Sequence, residues 1–169
     1  MHDEKIRKLV MSALLAALVF VATMVIRIPS PTNGYVNLGD CFVLLSGWLL
    51  GPWYGAAAAG IGSMLTDLLA GYTYYVPATL IIKAADALVA ALIWKAMGRK
   101  RGGLIVSGIM GELIMVLGYF AFTALLLGKG WGAALSIPGD LVQGVTGIVI
   151  GIVLMKLFER SKVMEKLMK

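Results

Sequence analysis

LIVSGIMGELIMVLGYFAFTALLL, residues Leu104–Leu127, decides how the rest of the chain is read. As an α-helix it is about 36 Å long, more than the hydrocarbon core of a bilayer. It holds a single charged side chain, Glu112. A run this long and this apolar is a membrane span. A carboxyl inside such a span is costly enough that it is rarely kept without a partner or a task. The flanking runs Gly98-Arg-Lys-Arg-Gly-Gly103 and Gly128-Lys-Gly-Trp-Gly132 read as connecting loops.

Five further apolar stretches share this character. Helices are expected over about 5–27, 37–50, 53–71, 77–97, 104–127 and 138–158. The fold class is therefore an all-α integral membrane protein, a six-transmembrane-helix bundle forming one domain over residues 1–169. Composition agrees: 60% of residues are hydrophobic and 14% charged, where a soluble domain carries about 25% charge, and mean hydropathy is +0.90. The first stretch is too long for a signal-peptide core and lacks a small-x-small cleavage site before Pro29, so it is expected to be retained as a helix. The second is only about 21 Å long. It must be sunk in the bundle, or end early where an outer loop dips inward. Gly51-Pro52 makes a tight turn, and Pro77 and Pro138 suit the first turns of their helices.

The net charge is +6, and its placement follows helix ends. Lys5, Arg7, Lys8, Lys95, Arg99, Lys100, Arg101, Lys156, Arg160, Lys162, Lys166 and Lys169 fall on one side of an alternating bundle. The other side has Arg27 and Lys129. This positive-inside bias places both termini in the cytoplasm and speaks for membrane lipid, not nucleic acid, as the surroundings. A single cysteine, Cys41, excludes an internal disulfide and a multi-cysteine zinc site. The one histidine, His2, is terminal. No metal and no cofactor are expected.

Six ionisable side chains remain in or at the edges of the spans: Asp40, Asp67, Lys83, Asp86, Glu112 and Asp140. At 1.5 Å per residue, Asp67, Lys83, Gln143 and Tyr119 lie about 7–12 Å below the outer helix ends. Asn37, Asp40 and Asp140 lie slightly above them, and the loop aromatics Tyr35, Tyr72, Tyr74, Tyr75 and Trp131 above those. This predicts a polar pocket in the outer half of the bundle, roofed by aromatic and Gly/Pro-rich loops. Such a pocket suits a small, flat, hydrogen-bonding ligand. Leu38-Gly39-Asp40 and Pro138-Gly139-Asp140 each set a carboxylate at a helix N-terminus, where it either caps the helix or meets ligand. Lys83 can pair with Asp86 on its own face or with Asp67 across two helices, which would make those charges structural. Asp86 and Glu112 lie deeper, and Glu112 shares a face with Tyr119.

Small residues mark close helix contacts. Gly47, Gly51 and Gly55, then Gly147 and Gly151, recur at spacings of four, and 56–62 is almost all small. On helix 1, Ala13 and Ala17 form one small stripe and Ser12 and Ala16 another, on an otherwise bulky helix. A smooth stripe there docks either a helix of this chain or a partner subunit; spacing alone does not choose.

No P-loop, His-Glu-x-x-His or Gly-x-Ser-x-Gly motif is present, nor a carboxylate cluster suited to Mg²⁺ and a diphosphate. Three readings remain: a solute-binding membrane protein, a ligand-free membrane scaffold, and a metal-dependent enzyme built on Asp67, Asp86 and Glu112.

Several runs carry a resemblance: Asn37-Leu-Gly-Asp40, Gly51-Pro52, Gly55, Gly60-Ile-Gly62, Asp67-Leu-Leu-Ala-Gly71-Tyr72, Pro77-Ala-Thr-Leu-Ile-Ile-Lys83, then Gly118-Tyr119-Phe120 and Gln143. With these the chain resembles, over nearly its whole length, the S component of energy-coupling factor (ECF) vitamin transporters. It is similar to the riboflavin, pyridoxine and hydroxymethylpyrimidine branch, where an Asn often stands in place of Asp140. The resemblance implies a prokaryotic plasma-membrane importer subunit of the ABC type, not itself an enzyme. It further implies a vitamin pocket roofed by the loops after helices 1, 3 and 5, with ligand contacts from Tyr35, Asn37, Asp40, Asp67, Tyr75, Lys83, Tyr119, Asp140 and Gln143. A transmembrane T subunit and two cytoplasmic ATPases are the implied partners. The family's Ala-x-x-x-Ala motif matches Ala13 and Ala17, which favours the partner-facing reading of that stripe. Delivery by rotation of the loaded subunit in the membrane is also implied. Pyridoxine or a pyrimidine alcohol suits the acidic residues, with riboflavin as the larger option.

Overall fold

A computed structural model describes residues 2–30, 32 and 34–161. The basic tail with Lys162, Lys166 and Lys169 lies outside the described residues, as does the side chain of His2. Six α-helices follow one another: α1 (His2–Val25), α2 (Asp40–Leu50), α3 (Pro52–Ala70), α4 (Val76–Ala96), α5 (Arg101–Ala121) and α6 (Ile137–Arg160). Pro52, Pro77 and Pro138 each sit in the first turn of a helix, where a missing N–H breaks no helical bond. Gly71 ends α3 at φ +85°, with its N–H on the Asp67 carbonyl, a backbone state that glycine adopts at no steric cost.

Two connections differ from the helices expected of them. Arg27–Pro29 (β1) and Tyr35–Asn37 (β2) pair antiparallel, with Arg27 opposite Asn37 and Pro29 opposite Tyr35. α1 therefore stops at Val25 and α2 starts at Asp40, not Asn37. The Pro- and Gly-rich segment between the strands cannot continue a helix, and the Asn37 side chain takes the Gly39 N–H, closing the turn into α2. The second difference is in α5. It begins at Arg101 and leaves α-geometry after Ala121, continuing as a π-helical turn over Phe122–Leu126. A 3₁₀ segment, Gly130–Ser136, then leads into α6.

Among the described residues, four helical runs are long and apolar enough to cross a membrane: Glu4–Val25, Val76–Ala96, Arg101–Leu126 and Gly130–Arg160. α2 is too short, and it is sunk. It touches α1, α3, α4 and α6, and only Phe42, Leu49 and Leu50 escape full burial. α3 is diluted by Ala56–Gly60, Gly62, Ser63, Thr66 and Asp67, which let it lie close to α1, α2 and α4. Leu15, Leu44, Leu45, Trp48, Trp94, Leu104 and Met155 form one core cluster, and Ala78, Ile82, Met115 and Val116 another. Outside, Leu9, Val10, Leu69, Ile81, Leu117, Val142 and Val145 are exposed. Exposed aliphatics on every long helix are what a lipid-facing surface requires.

Backbone approach holds α2 in place. A Cβ on Gly55 would stand 2.6 Å from the Gly47 Cα, and one on Gly47 would overlap the Ala87 carbonyl of α4. Gly47→Ala should therefore lower stability by about 1–3 kcal/mol through overpacking. The check is the thermal midpoint of the detergent-purified protein. Gly102→Ala, where a Cβ meets open space, should leave it unchanged or slightly raised. Equal midpoints would mean that α2 and α4 have room to part.

Candidate functional site

The β-hairpin supplies the first wall of a cavity. Strand alternation puts Tyr35 and Asn37 on one side of β2 and Val36 on the other, where it meets Gly139. Helical spacing supplies the rest. Ser63 and Asp67 lie four apart on α3, and Thr79 and Lys83 four apart on α4. Tyr119, in the last turn of α5, and Thr123, in the π turn after it, lie four apart, and Ser136, just before α6, precedes Asp140 and Gln143 in its first turns. All of these line one cavity, with Thr23, Ser30, Thr32, Gly34 and Tyr75. Its empty space out to the open mouth is about 570 Å³, of which about 50 Å³ admits the centre of a water molecule. The first figure includes the open mouth and so is not an enclosed volume. The second shows how densely the wall side chains project.

A hydrogen-bonded chain forms the floor. Lys83 Nζ pairs with Asp40 Oδ1. Gln143 Nε2 donates to Asp40 Oδ2 at 2.7 Å, and Gln143 Oε1 accepts from the Asn37 backbone N–H at 2.7 Å and from Asn37 Nδ2 at 3.2 Å. On the wall, the Tyr35 hydroxyl donates to Asp67 Oδ1, and Tyr119 to Thr79 at 3.1 Å. Burial, with the Asp67 carboxylate beside it, holds the Tyr35 hydroxyl protonated far above the ordinary phenol range, so Tyr35 is a fixed donor. The Lys83 ammonium also stands 5.7 Å from the Tyr119 ring centroid.

Aromatic rings make the roof. Tyr35 and Tyr72 have centroids 4.9 Å apart, Tyr74 and Tyr75 5.0 Å, and Tyr75 and Phe122 5.2 Å. The Tyr75 hydroxyl lies 3.2 Å from the Thr123 hydroxyl. Lys129, from the loop after the π turn, donates to the Thr32 carbonyl at 2.6 Å, joining that loop to the hairpin loop.

Of the nine residues expected to touch ligand, Tyr35, Asn37, Asp67, Tyr75, Lys83, Tyr119, Asp140 and Gln143 share this cavity. Asp40 does not line it. It is 1% exposed and stands behind the wall, holding Lys83 and Gln143. Lys83 pairs with neither Asp67 nor Asp86, because Asp40 reaches its ammonium first. Nor does either helix-start aspartate make a side-chain capping bond: Asp40 and Asp140 sit one and four residues past their cap positions. Asp140 keeps one buried oxygen, Oδ2, without a donor. Sequence reasoning missed the hydroxyls of Thr23, Ser63, Thr79, Thr123 and Ser136. The i,i+4 spacing of Ser63 to Asp67, Thr79 to Lys83, Ser136 to Asp140 and Tyr119 to Thr123 was the available signal.

Lipid-facing helices around a polar, roofed cavity define a polytopic membrane protein that holds a small polar solute. Residues 3–160 match the sequence profile of the ECF-type riboflavin transporter S component family, and the chain belongs to that family. It is 40% identical over 135 residues to a Pyrococcus woesei protein described only as an uncharacterized protein in a gap 3' region, covering 79% of this chain and 88% of that one. It is 29% identical over 170 residues to the thiamine precursor transporter HmpT of Lactococcus lactis subsp. cremoris, covering 97% and 95%. Its fold is that of a solved S component of a bacterial ECF transporter, with a TM-score of 0.69 over 92% of this chain and 97% of that one, at 23% identity. The chain is thus the substrate-binding S component of an ECF-type ABC importer, a multi-pass plasma-membrane protein. It is not an enzyme, since ATP hydrolysis belongs to separate subunits. The scaffold and metal-enzyme readings fall with that assignment.

The floor makes a sharp prediction. Lys83→Met leaves Asp40 charged and unpaired, which should cost about 3–5 kcal/mol. The double variant Asp40→Asn/Lys83→Met should recover most of the loss. Thermal unfolding of the three proteins in detergent is the measurement, and a double variant no better than the single would show that the pair is not coupled.

Proposed function

We propose that this S component binds a single-ring, donor-bearing vitamin precursor, of the hydroxymethylpyrimidine or pyridoxine type, in the cavity under the aromatic roof. The observation that carries this is the acceptor balance of the wall. Asp67 and Asp140 line the cavity, and the buried Oδ2 of Asp140 meets no protein donor. An amino or hydroxymethyl group on a flat ring supplies what that oxygen lacks. The small space free to water favours one ring over the three fused rings of a flavin. The likeness to HmpT, named for a thiamine precursor and matched over 97% of this chain, supports the same class. Tyr35, Asn37, Tyr75, Lys83, Tyr119 and Gln143 complete the contacts, with Asp40 orienting Lys83 and Gln143 from behind.

In this reading the cavity faces outward and both termini are cytoplasmic, as the basic residues at the α4–α5 turn and the chain ends favour. Ala13 and Ala17 are exposed, whereas Ser12 and Ala16 are half-buried and the Ala16 carbonyl lies against Gly62. The outer stripe is therefore the docking face for the T subunit, which links the bundle to two ATPases; the inner stripe belongs to α1–α3 packing.

Calorimetric titration of the purified protein with hydroxymethylpyrimidine, pyridoxine and riboflavin tests the ligand class. One of the single-ring compounds should bind, and Asp67→Asn or Asp140→Asn should weaken it about 10–100-fold, the worth of one charge-assisted hydrogen bond. Tight riboflavin binding with none of the single-ring compounds would reverse the assignment. Ala13→Leu should keep ligand affinity and reduce co-purification of the T subunit. Lost affinity with intact assembly would move the docking face elsewhere.

A further inference from the structure

Another cavity lies at the opposite end of the bundle, where α5 begins and α6 ends. Arg101, Lys156, Glu159 and Arg160 line it. About 290 Å³ of it admits the centre of a water molecule, against about 50 Å³ in the solute cavity. Arg101 stands about 27 Å along α5 from Tyr119, close to the thickness of a hydrocarbon core, so the two cavities are separate sites. Gly108 packs on Ile148, so α5 and α6 touch about two turns in from Arg101, with the cavity at their ends.

The charges around this cavity are unpaired. Three cations and one carboxylate line it, and among the described residues none of the four forms an ion pair. The backbone that carries Arg101 is held in place. The buried Trp94 donates its indole N–H to the Lys100 carbonyl at 3.2 Å, and the Arg99 N–H donates to the Trp94 carbonyl at 2.9 Å. The Arg99 guanidinium lies 5.7 Å from the Trp94 ring centroid and takes no part in the lining. Fixed, unpaired cations around open space suit an anion. The helix faces next to them say which kind. On α5, Ile105 and Ile109 follow Arg101 at steps of four; on α6, Val153 and Val149 precede Lys156 on one face. All four are exposed aliphatics. Each helix therefore carries a strip that is basic at its end and apolar toward its middle. A free anion has no use for the apolar part, whereas a lipid matches both.

We propose that this cavity binds the phosphate of an anionic membrane lipid, with Arg101, Lys156 and Arg160 on its oxygens and the acyl chains along the Ile105–Ile109 and Val149–Val153 strips. Basic pockets between membrane helices near the cytoplasmic face, the side assigned above to these residues, take such head groups. Two arginines suit a phosphate because the planar guanidinium donates two parallel bonds to a pair of oxygens. Glu159 fits a head group that also carries hydroxyls, such as a glycerol, whose O–H donates to the carboxylate. This goes beyond solute binding. It also leaves α1 free, since α1 packs on α2 and α3 while α5 packs on α4 and α6.

Native mass spectrometry of the delipidated full-length protein, given equal amounts of phosphatidylglycerol and phosphatidylcholine, tests this with no solute present, so its failure is distinct from failure of the ligand class. The wild type should retain phosphatidylglycerol over phosphatidylcholine. R101Q/R160Q should lower that retention about tenfold or more. K5Q/K8Q, which removes the same charge from α1, should leave it unchanged. If the first double variant does not fold, R160Q alone carries the comparison. Equal losses from the two ends would mean diffuse attraction to a basic surface and would overturn the site. No preference in the wild type would overturn it too, leaving these cations to an acidic protein surface. Inorganic phosphate that raises the thermal midpoint as much as the lipid does, an effect lost in R101Q/R160Q, would replace the lipid with a free anion.

Discussion

Among the described residues Lys83 is the cation that meets a buried acid, and its choice of partner organises the bundle. An ammonium at this depth cannot stand alone, so one carboxylate must be brought to it without water. Asp40 fills that place because α2 starts at the level of the cavity floor and not at the membrane surface. A helix whose first turn carries the counter-ion must be sunk, and that is why α2 is short and surrounded by α1, α3, α4 and α6. The second oxygen of Asp40 then takes Gln143 of α6, and Gln143 in turn takes Asn37 of the hairpin. One ion pair thus ties four separate segments into a common floor. Such a pair adds little net stability over an apolar isostere. What it specifies is register: only one depth of α2 satisfies it.

The rest of the cavity is built from weaker and more adjustable groups. Hydroxyls of Ser63, Thr79, Thr123 and Ser136 line the walls, each able to donate or accept as its neighbour demands. The roof is a run of tyrosine rings, held to the hairpin loop by Tyr75 and Lys129 at the Thr32 carbonyl. The contacts therefore change from floor to roof, from a buried ion pair through neutral hydrogen bonds to ring contacts and two bonds at the Thr32 carbonyl. A site that must admit a solute from one side and keep it has its weak contacts where the solute passes.

The helices were legible in the sequence because each long span is a nearly uncharged run bounded by Gly, Pro or basic residues. Much of the cavity wall was legible for a related reason. Rise per residue converts a position in a span to a depth, so Asp67, Lys83, Tyr119 and Gln143 could be set at one level before any fold was known. Residue spacing carries no information on azimuth between helices, and that is where the reading stopped. Lys83 and Asp40 are 43 positions apart, and pairing them requires knowing that α2 is sunk. The same ignorance put Asp40 at the mouth when it stands behind the wall. The hairpin was lost for another reason: two three-residue strands have too few residues for period-2 alternation to rise above turn chemistry.

The two small stripes of α1 face different ways. Ser12 and Ala16 turn inward, where Gly62 lets α3 approach the α1 backbone; Ala13 and Ala17 turn outward among Leu9, Val10, Leu14 and Val21. In lipid, the bulky positions give no preference between a neighbouring helix and acyl chains, since both are equally apolar. A partner gains over lipid only where backbones can come close, and on this face that means the two alanines. Leu9, Val10, Leu14 and Val21 around the stripe are exposed aliphatics. On the outer face of α1, the Ala13–Ala17 stripe leaves room for a close helix approach.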